Sequence, residues 1–253
     1  MHINSIGQGP DLVLVHGWSM HSGVWSPLLE LLSEHFRCHL VDLPGHGQSD
    51  WHEGDFELST LLANLAEVLP EKAIWLGWSL GGQVSLAMAK HYPDNVKKLI
   101  LLAANPCFVQ KEDWPCAMPQ EVFESFSASL ADDQRLTLQR FIMLQAKGAN
   151  QPRQVIKQLS EQLAQQHEPE PEALQAGLNC LAEWDLRDAL ATVNCPTQMI
   201  LAENDHLIPV SLAEYVQKLQ PKLLIDVMPG LGHAPFISQP QQCQLVIEQF
   251  IHE

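Results

Sequence analysis

A chain of 253 residues, 46% of them hydrophobic, can bury one full core with room for a modest insertion. Thirty Asp plus Glu against fourteen Lys plus Arg leave a net charge of −16, which repels nucleic acid and acidic membranes at long range, so neither is expected as a partner. No apolar run nears the roughly 18 residues of a membrane span, Met1 to Gly7 carries no secretory pattern, and a cytoplasmic monomer is the expectation.

The six cysteines are scattered and form no C-x-x-C pair, which reads as reduced, mostly buried thiols. The twelve histidines include no H-E-x-x-H spacing, and neither a metal nor another cofactor is expected.

In chain order, Asp11 to Val15 is a short apolar strand ending in His16-Gly17-Trp18-Ser19. A His-Gly pair at a strand end suits a loop that turns backbone amides toward a reacting oxygen, which makes the Trp18 N–H a candidate oxyanion donor; an ordinary turn is the alternative. Trp25 to Phe36 carries a helical leucine stripe, Cys38 to Val41 is a strand, and Asp42 to Ser49 is a loop rich in turn residues. Leu58 to Leu69 is a second amphipathic helix.

Ala73 to Leu76 then reads as a buried strand and Gln83 to His91 as a helix, with Gly77-Trp78-Ser79-Leu80-Gly81 between them. A strand that reverses directly into a helix strains the central serine and leaves no room for side chains two residues before and after it, so a Gly-x-Ser-x-Gly turn exposes the Ser79 hydroxyl as a nucleophile. The same turn frees the Leu80 amide at the start of the helix for an oxyanion. Lys97 to Ala104 is the next strand.

From Pro106 to Asp185 the strand pattern stops, and Glu121–Leu130, Asp133–Ala146, Arg153–Gln165 and Glu172–Ala182 read as helices. Strands resume at Thr197–Ala202 and Leu223–Met228, and a helix over Gln241–Phe250 follows. The pattern predicts an α/β fold, a mostly parallel central sheet with helices on both faces. The core would comprise residues 1–105 and 186–253, with an inserted helical lid over 106–185.

Beyond the last two strands lie Asp205 and His233. Serine, acid and histidine in that chain order, each on a loop after a strand, meet the needs of nucleophilic catalysis: the imidazole deprotonates the hydroxyl and the carboxylate orients the imidazole. Glu203 competes with Asp205 for the acid's role, but the Asp-x-x-x-Pro pattern favours Asp205.

His16-Gly17-Trp18, Asp42-Leu43-Pro44-Gly45-His46-Gly47, Gly77 to Gly81, Asp205 and His233 together resemble the α/β-hydrolase fold from end to end. Gly77 to Gly82, Pro106-Cys107-Phe108, Asp113-Trp114-Pro115 and His233 to Ser238 further resemble the family of pimeloyl-acyl-carrier-protein methyl ester esterases of biotin synthesis. That resemblance implies hydrolysis of a methyl ester at the far end of an acyl chain borne on acyl carrier protein. It implies acyl contacts from Phe141, Ile142, Met143, Leu144 and Gln145, a segment that a helix buried for packing would match as well. Trp18 and Trp78 flank the proposed site, where their indoles either wall an acyl channel or belong to the core, with Leu80 and His233 at the reacting end. The resemblance also implies carrier contacts from Arg140 and Arg153, with Lys157 standing where arginine is expected.

Independently of that resemblance, Gln134 to Ser160 holds Arg135, Arg140, Lys147, Arg153 and Lys157 and no acid, where the chain average would place about three. Arg140 and Lys147 share one helix face, as do Arg153 and Lys157, so a basic patch could steer an acidic carrier to one entrance. A merely solvated helix face is the plainer reading. A generalist esterase for short acyl esters fits the same triad, and a non-catalytic binding module fits the fold alone.

Overall fold

The computed structural model describes every residue from Met1 to Glu253. Seven strands, β1 (His2–Ile6), β2 (Asp11–Val15), β3 (Arg37–Asp42), β4 (Ala73–Trp78), β5 (Val96–Leu102), β6 (Thr197–Ala202) and β7 (Leu224–Met228), form one sheet in the order β1-β3-β2-β4-β5-β6-β7. All neighbours are parallel except β1, which pairs antiparallel with β3 from His2 opposite Asp42 to Ile6 opposite Cys38. β1 was not expected from the sequence: it is a half-exposed edge strand whose residues show no apolar run.

The central strands are buried on both faces, which is why they read as unbroken apolar runs. Val13, Val15, Trp75, Leu99 and Leu101 join a core cluster of 49 residues, whereas Leu12, Leu14, Ile74, Leu76, Ile100 and Leu102 join another of 30. This is the two-residue alternation of a pleated strand.

The helices are α1 (Ser26–Leu32), α2 (Leu58–Val68), α3 (Leu80–His91), α4 (Gln120–Asp132), α5 (Gln134–Ala146), α6 (Pro152–Ala164), α7 (Pro171–Glu183), α8 (Arg187–Thr192), α9 (Leu212–Leu219), α10 (Pro235–Ser238) and α11 (Pro240–His252). The helix expected over Trp25–Phe36 is shorter, preceded by a 3-10 turn at Ser22–Trp25 and ended at Leu32, because the chain must leave it to feed Arg37 into β3. No helix is long and apolar enough to cross a membrane.

Five helices, α4 to α8, lie between β5 and β6 in the chain, and the first four of them fall within residues 106–185. Their limits follow local chemistry. Asp133 caps α5 by accepting from the Leu136 amide at 3.0 Å, and α6 and α7 each begin on a proline, whose missing N–H costs nothing there. The two ends of this segment are tied together: Leu186 N–H donates to Pro106 O at 2.8 Å, and Arg187 donates to both Asp185 and Asp113 at 2.7 Å while lying over the Trp114 ring. The guanidinium's hydrogen bonds hold the Asp185 carboxyl well below the usual carboxylate range.

Strand order fixes where a site can form. From β2 the chain goes outward to β3 and then returns to β4 on the other side of β2, so the loops leaving β2 and β4 splay apart at the sheet's carboxyl edge. Such a reversal point opens a crevice in an α/β sheet.

Candidate active site

The loop after β4 reverses into α3 at Ser79, whose backbone adopts φ 54° and ψ −116°, a conformation costly for any residue bearing a Cβ. It is held there by its amide donating to Leu102 O at 3.0 Å. A Cβ on Gly77 would strike the Gly81 carbonyl and one on Gly81 the Val15 carbonyl, so both flanking glycines are required by close backbone approach.

Asp205 follows β6 and His233 follows β7. Asp205 Oδ2 accepts from His233 Nδ1–H at 2.8 Å, and its Oδ1 accepts from the Leu207 and Ile208 amides at 2.8 and 3.0 Å. Both side chains are at most 1% exposed. The bond to Asp205 assigns the proton to Nδ1 and leaves the His233 Nε2 lone pair free; that atom is buried with no partner in the protein. Glu203, the competing acid, instead accepts from the Gly230 amide at 2.8 Å and so braces the loop that carries His233.

The loop after β2 is built around His16, whose Nδ1–H donates to Gly17 O at 2.8 Å and whose Nε2 accepts from the Leu43 amide at 3.0 Å. Trp18 is anchored by its indole N–H donating to Leu174 O at 2.8 Å. The backbone amides of Trp18 and Leu80 donate to no group in the chain's turns and loops. Both stand free for an incoming oxygen, and Leu80 sits at the positive end of a twelve-residue helix.

A narrow cavity opens from Ser79, and eleven of its twelve lining residues are hydrophobic. Its wall includes Trp18 from the β2 loop and Phe126, Phe141, Leu144 and Leu178 from the inserted helices. Trp18 meets the Phe141 ring edge-on at 4.9 Å and Phe126 at 5.6 Å. No carboxylate, lysine or arginine lines it, and no group of His, Cys, Asp and Glu in the structure could hold a metal ion.

Of the acyl contacts named from the sequence, Trp18, Phe141 and Leu144 line this cavity; Trp78, Leu80, Ile142, Met143, Gln145 and His233 do not. Strand alternation puts Trp78 with Leu76 in the smaller core cluster, on the other face of the sheet from Trp18. There its indole donates to the His233 carbonyl at 2.9 Å and packs on Phe236, so it holds the histidine's loop. Leu80 and Ile142 are core, and Met143 is 52% exposed. Phe126 and Leu178 were missed, because an aromatic or leucine on a helix face looks the same in sequence whether it fills a core or walls a cavity.

Arg140, Lys147 and Arg153 are exposed and make no ion pair, while Lys157 approaches Glu161 at 3.7 Å. Leu136, Arg140, Met143 and Lys147 fall on one face along α5 and its C-cap, all exposed.

A pattern described as the alpha/beta hydrolase family matches residues 12–243. The chain is 42% identical over 242 residues to a protein of Nitrosomonas europaea named pimeloyl-[acyl-carrier protein] methyl ester esterase, covering 96% of each. It is 41% identical to equally named proteins of Xanthomonas oryzae pv. oryzae, over 99% of this chain and 98% of the relative, and of Aeromonas salmonicida, over 98% of each. Among solved structures, an esterase from Exiguobacterium antarcticum superposes with a TM-score of 0.90 at 21% identity, covering 100% of this chain and 95% of that one. A bromoperoxidase from Bacillus anthracis superposes at 0.89 with 19% identity, covering 99% and 95%. The match over residues 12–243 and the full-length relatives agree with the sheet order and the strained serine turn, and the chain belongs to the alpha/beta hydrolase family.

Proposed function

We propose that the chain is a serine carboxylesterase that hydrolyses the methyl ester of a pimeloyl chain borne on acyl carrier protein, releasing methanol. The observation that carries the chemistry is the buried Asp205–His233 pair at 2.8 Å with Nε2 free, on loops of the same sheet edge as the strained Ser79. The substrate comes from the full-length relatives' shared name and fits the apolar cavity, which suits a methylene chain ended by an uncharged ester.

In this reading Ser79 Oγ attacks the ester carbonyl as His233 Nε2 takes its proton. The Trp18 and Leu80 amides receive the oxyanion, and the imidazolium protonates departing methoxide. Water then hydrolyses the acyl-serine by the same steps in reverse. The product bears a carboxylate, which a cavity without any cation disfavours, so hydrolysis itself promotes release.

Residues 106–185 act as a lid on which the carrier docks, through the exposed basic face of Arg140 and Lys147 and the neighbouring Arg153 and Lys157. The thioester to the carrier is spared by reach, since only the distal end of the acyl chain arrives at Ser79. The test compares kcat/KM on carrier-bound pimeloyl methyl ester with that on a free short-chain methyl ester. Raising salt from 50 to 500 mM should lower the first by about tenfold and leave the second within about twofold, and Arg140→Ala with Arg153→Ala should mimic the salt. Equal losses on both substrates, or a free ester turned over as well as the carrier-bound one, would leave a generalist esterase.

A further inference from the structure

Gln145 is 1% exposed, and neither its Oε1 nor its Nε2 has a hydrogen-bond partner in the protein. A buried amide left this way is costly at both ends, and a leucine would pack at the same place without that cost. Its position gives the amide a use. Gln145 lies one turn beyond Phe141 on the same face of α5, and Phe141 both lines the cavity and packs on Trp18.

On its other side this helix end abuts the loop of the general base. A Cβ added to Gly232, the residue before His233, would come within 3.5 Å of the Gln145 carbonyl oxygen and 2.7 Å of that of Lys147. The backbone of Gln145 therefore lies against the loop that carries His233, whose Nε2 is also unpartnered, while Phe141, one turn away on the same helix face, belongs to the cavity wall that Gln145 itself does not line. Ser79 is the one residue of the cavity lining that is not hydrophobic. A water entering that cavity needs two or more polar partners to be held in place.

We infer that Gln145 orients the water that hydrolyses the acyl-enzyme, an inference that rests on the ester-hydrolysis reading above. One O–H of the water points at His233 Nε2 and the other donates to Gln145 Oε1. The water oxygen bonds to the acyl carbonyl carbon as its proton passes to Nε2. The tetrahedral adduct then breaks its bond to Ser79 Oγ, which takes the same proton from the imidazolium, leaving free acid and free serine. Acylation needs no such water, because there the nucleophile is Ser79 itself.

The two halves of the reaction should thus separate. With a p-nitrophenyl ester of a short acid, kcat/KM reports acylation, whereas kcat falls when deacylation slows. Gln145→Leu is expected to lower kcat and KM together, roughly 10- to 100-fold, with kcat/KM within about twofold of native. Acid quenching during turnover should trap the acyl adduct on Ser79, visible by intact mass. Gln145→Met, which also fills the space without hydrogen-bonding strength, should give the same split and guards against a Leu variant that fails to fold. Equal falls in kcat and kcat/KM in folded variants would mean that Gln145 only packs, and an unchanged kcat that it does nothing; either overturns the inference. A native chain that turns over no ester would instead overturn the functional reading beneath it.

Discussion

Ser79→Ala is expected to abolish ester turnover, lowering kcat by a factor on the order of 10⁵ to 10⁶, with thermal unfolding unchanged. The two readouts separate because the hydroxyl and the backbone strain reside in different atoms. Alanine removes only Oγ; its Cβ remains, so the strained φ of 54° is retained together with its cost. Ser79→Gly removes both and should be equally inactive yet more stable, by about 1 kcal/mol, which for a chain of this length raises Tm by roughly 2–4 °C. Backbone strain of this kind, held in place at a nucleophile, is what a site built for chemistry carries. Kinetics and calorimetry on the three proteins decide it. If Ser79→Ala retains more than about a hundredth of native turnover, the nucleophile is elsewhere.

The strands and the serine turn were legible in sequence because their physics is local. Ala73–Trp78 is apolar at nearly every position since both faces of the sheet are covered, and Gly77 and Gly81 are glycines because carbonyls pass where side chains would be. Asp205 could be preferred to Glu203 by pattern, and the geometry explains the preference: Glu203 is engaged with the Gly230 amide, while Asp205 is buried against His233. The cavity wall was legible only in part, at Trp18, Phe141 and Leu144. Trp78 adjoins Ser79 in the chain, but alternation turns its indole to the opposite side of the sheet, and Met143 adjoins Leu144 on α5 yet faces solvent. Which helix residues face a cavity depends on how four helices pack on one another, and single-sequence periodicity carries no trace of that. The edge strand β1 was missed for the same reason, since its pairing with β3 is a long-range fact imposed on a half-exposed segment.

Acid should destabilise the fold well before it protonates buried carboxylates, through two histidines that take no part in the triad. His16 and His46 are buried beside one another, 5.4 Å between ring centroids, with Asp42 and His21 nearby. Burial is the main cause that pushes His16 down to about 3, with His46 adding to it, and burial likewise pushes His46 down to about 4. Burial outweighs the hydrogen bonds that Nδ1–H donates to the Gly17 carbonyl in one ring and the Pro44 carbonyl in the other, which favour the charged form, while the His16 Nε2 lone pair accepts from the Leu43 amide, a bond that protonation would break. In the unfolded chain both rings titrate near 6.5. Above that pH neither state binds the extra protons and the stabilisation is complete. As pH falls from about 6.5 toward 4 the unfolded chain takes up protons that the folded chain refuses, so stability drops by up to ~1.4 kcal/mol per pH unit for each ring. Summed over both rings the loss is on the order of 6 kcal/mol by pH 4, against a typical domain stability of about 5–15 kcal/mol. Urea unfolding at a series of pH values measures the slope, and His46→Gln should reduce proton uptake on unfolding by close to one. Because His16 also holds the loop that carries Trp18, acid should inactivate the enzyme and unfold it over the same pH range; an enzyme equally stable at pH 4.5 and pH 7 would refute the account.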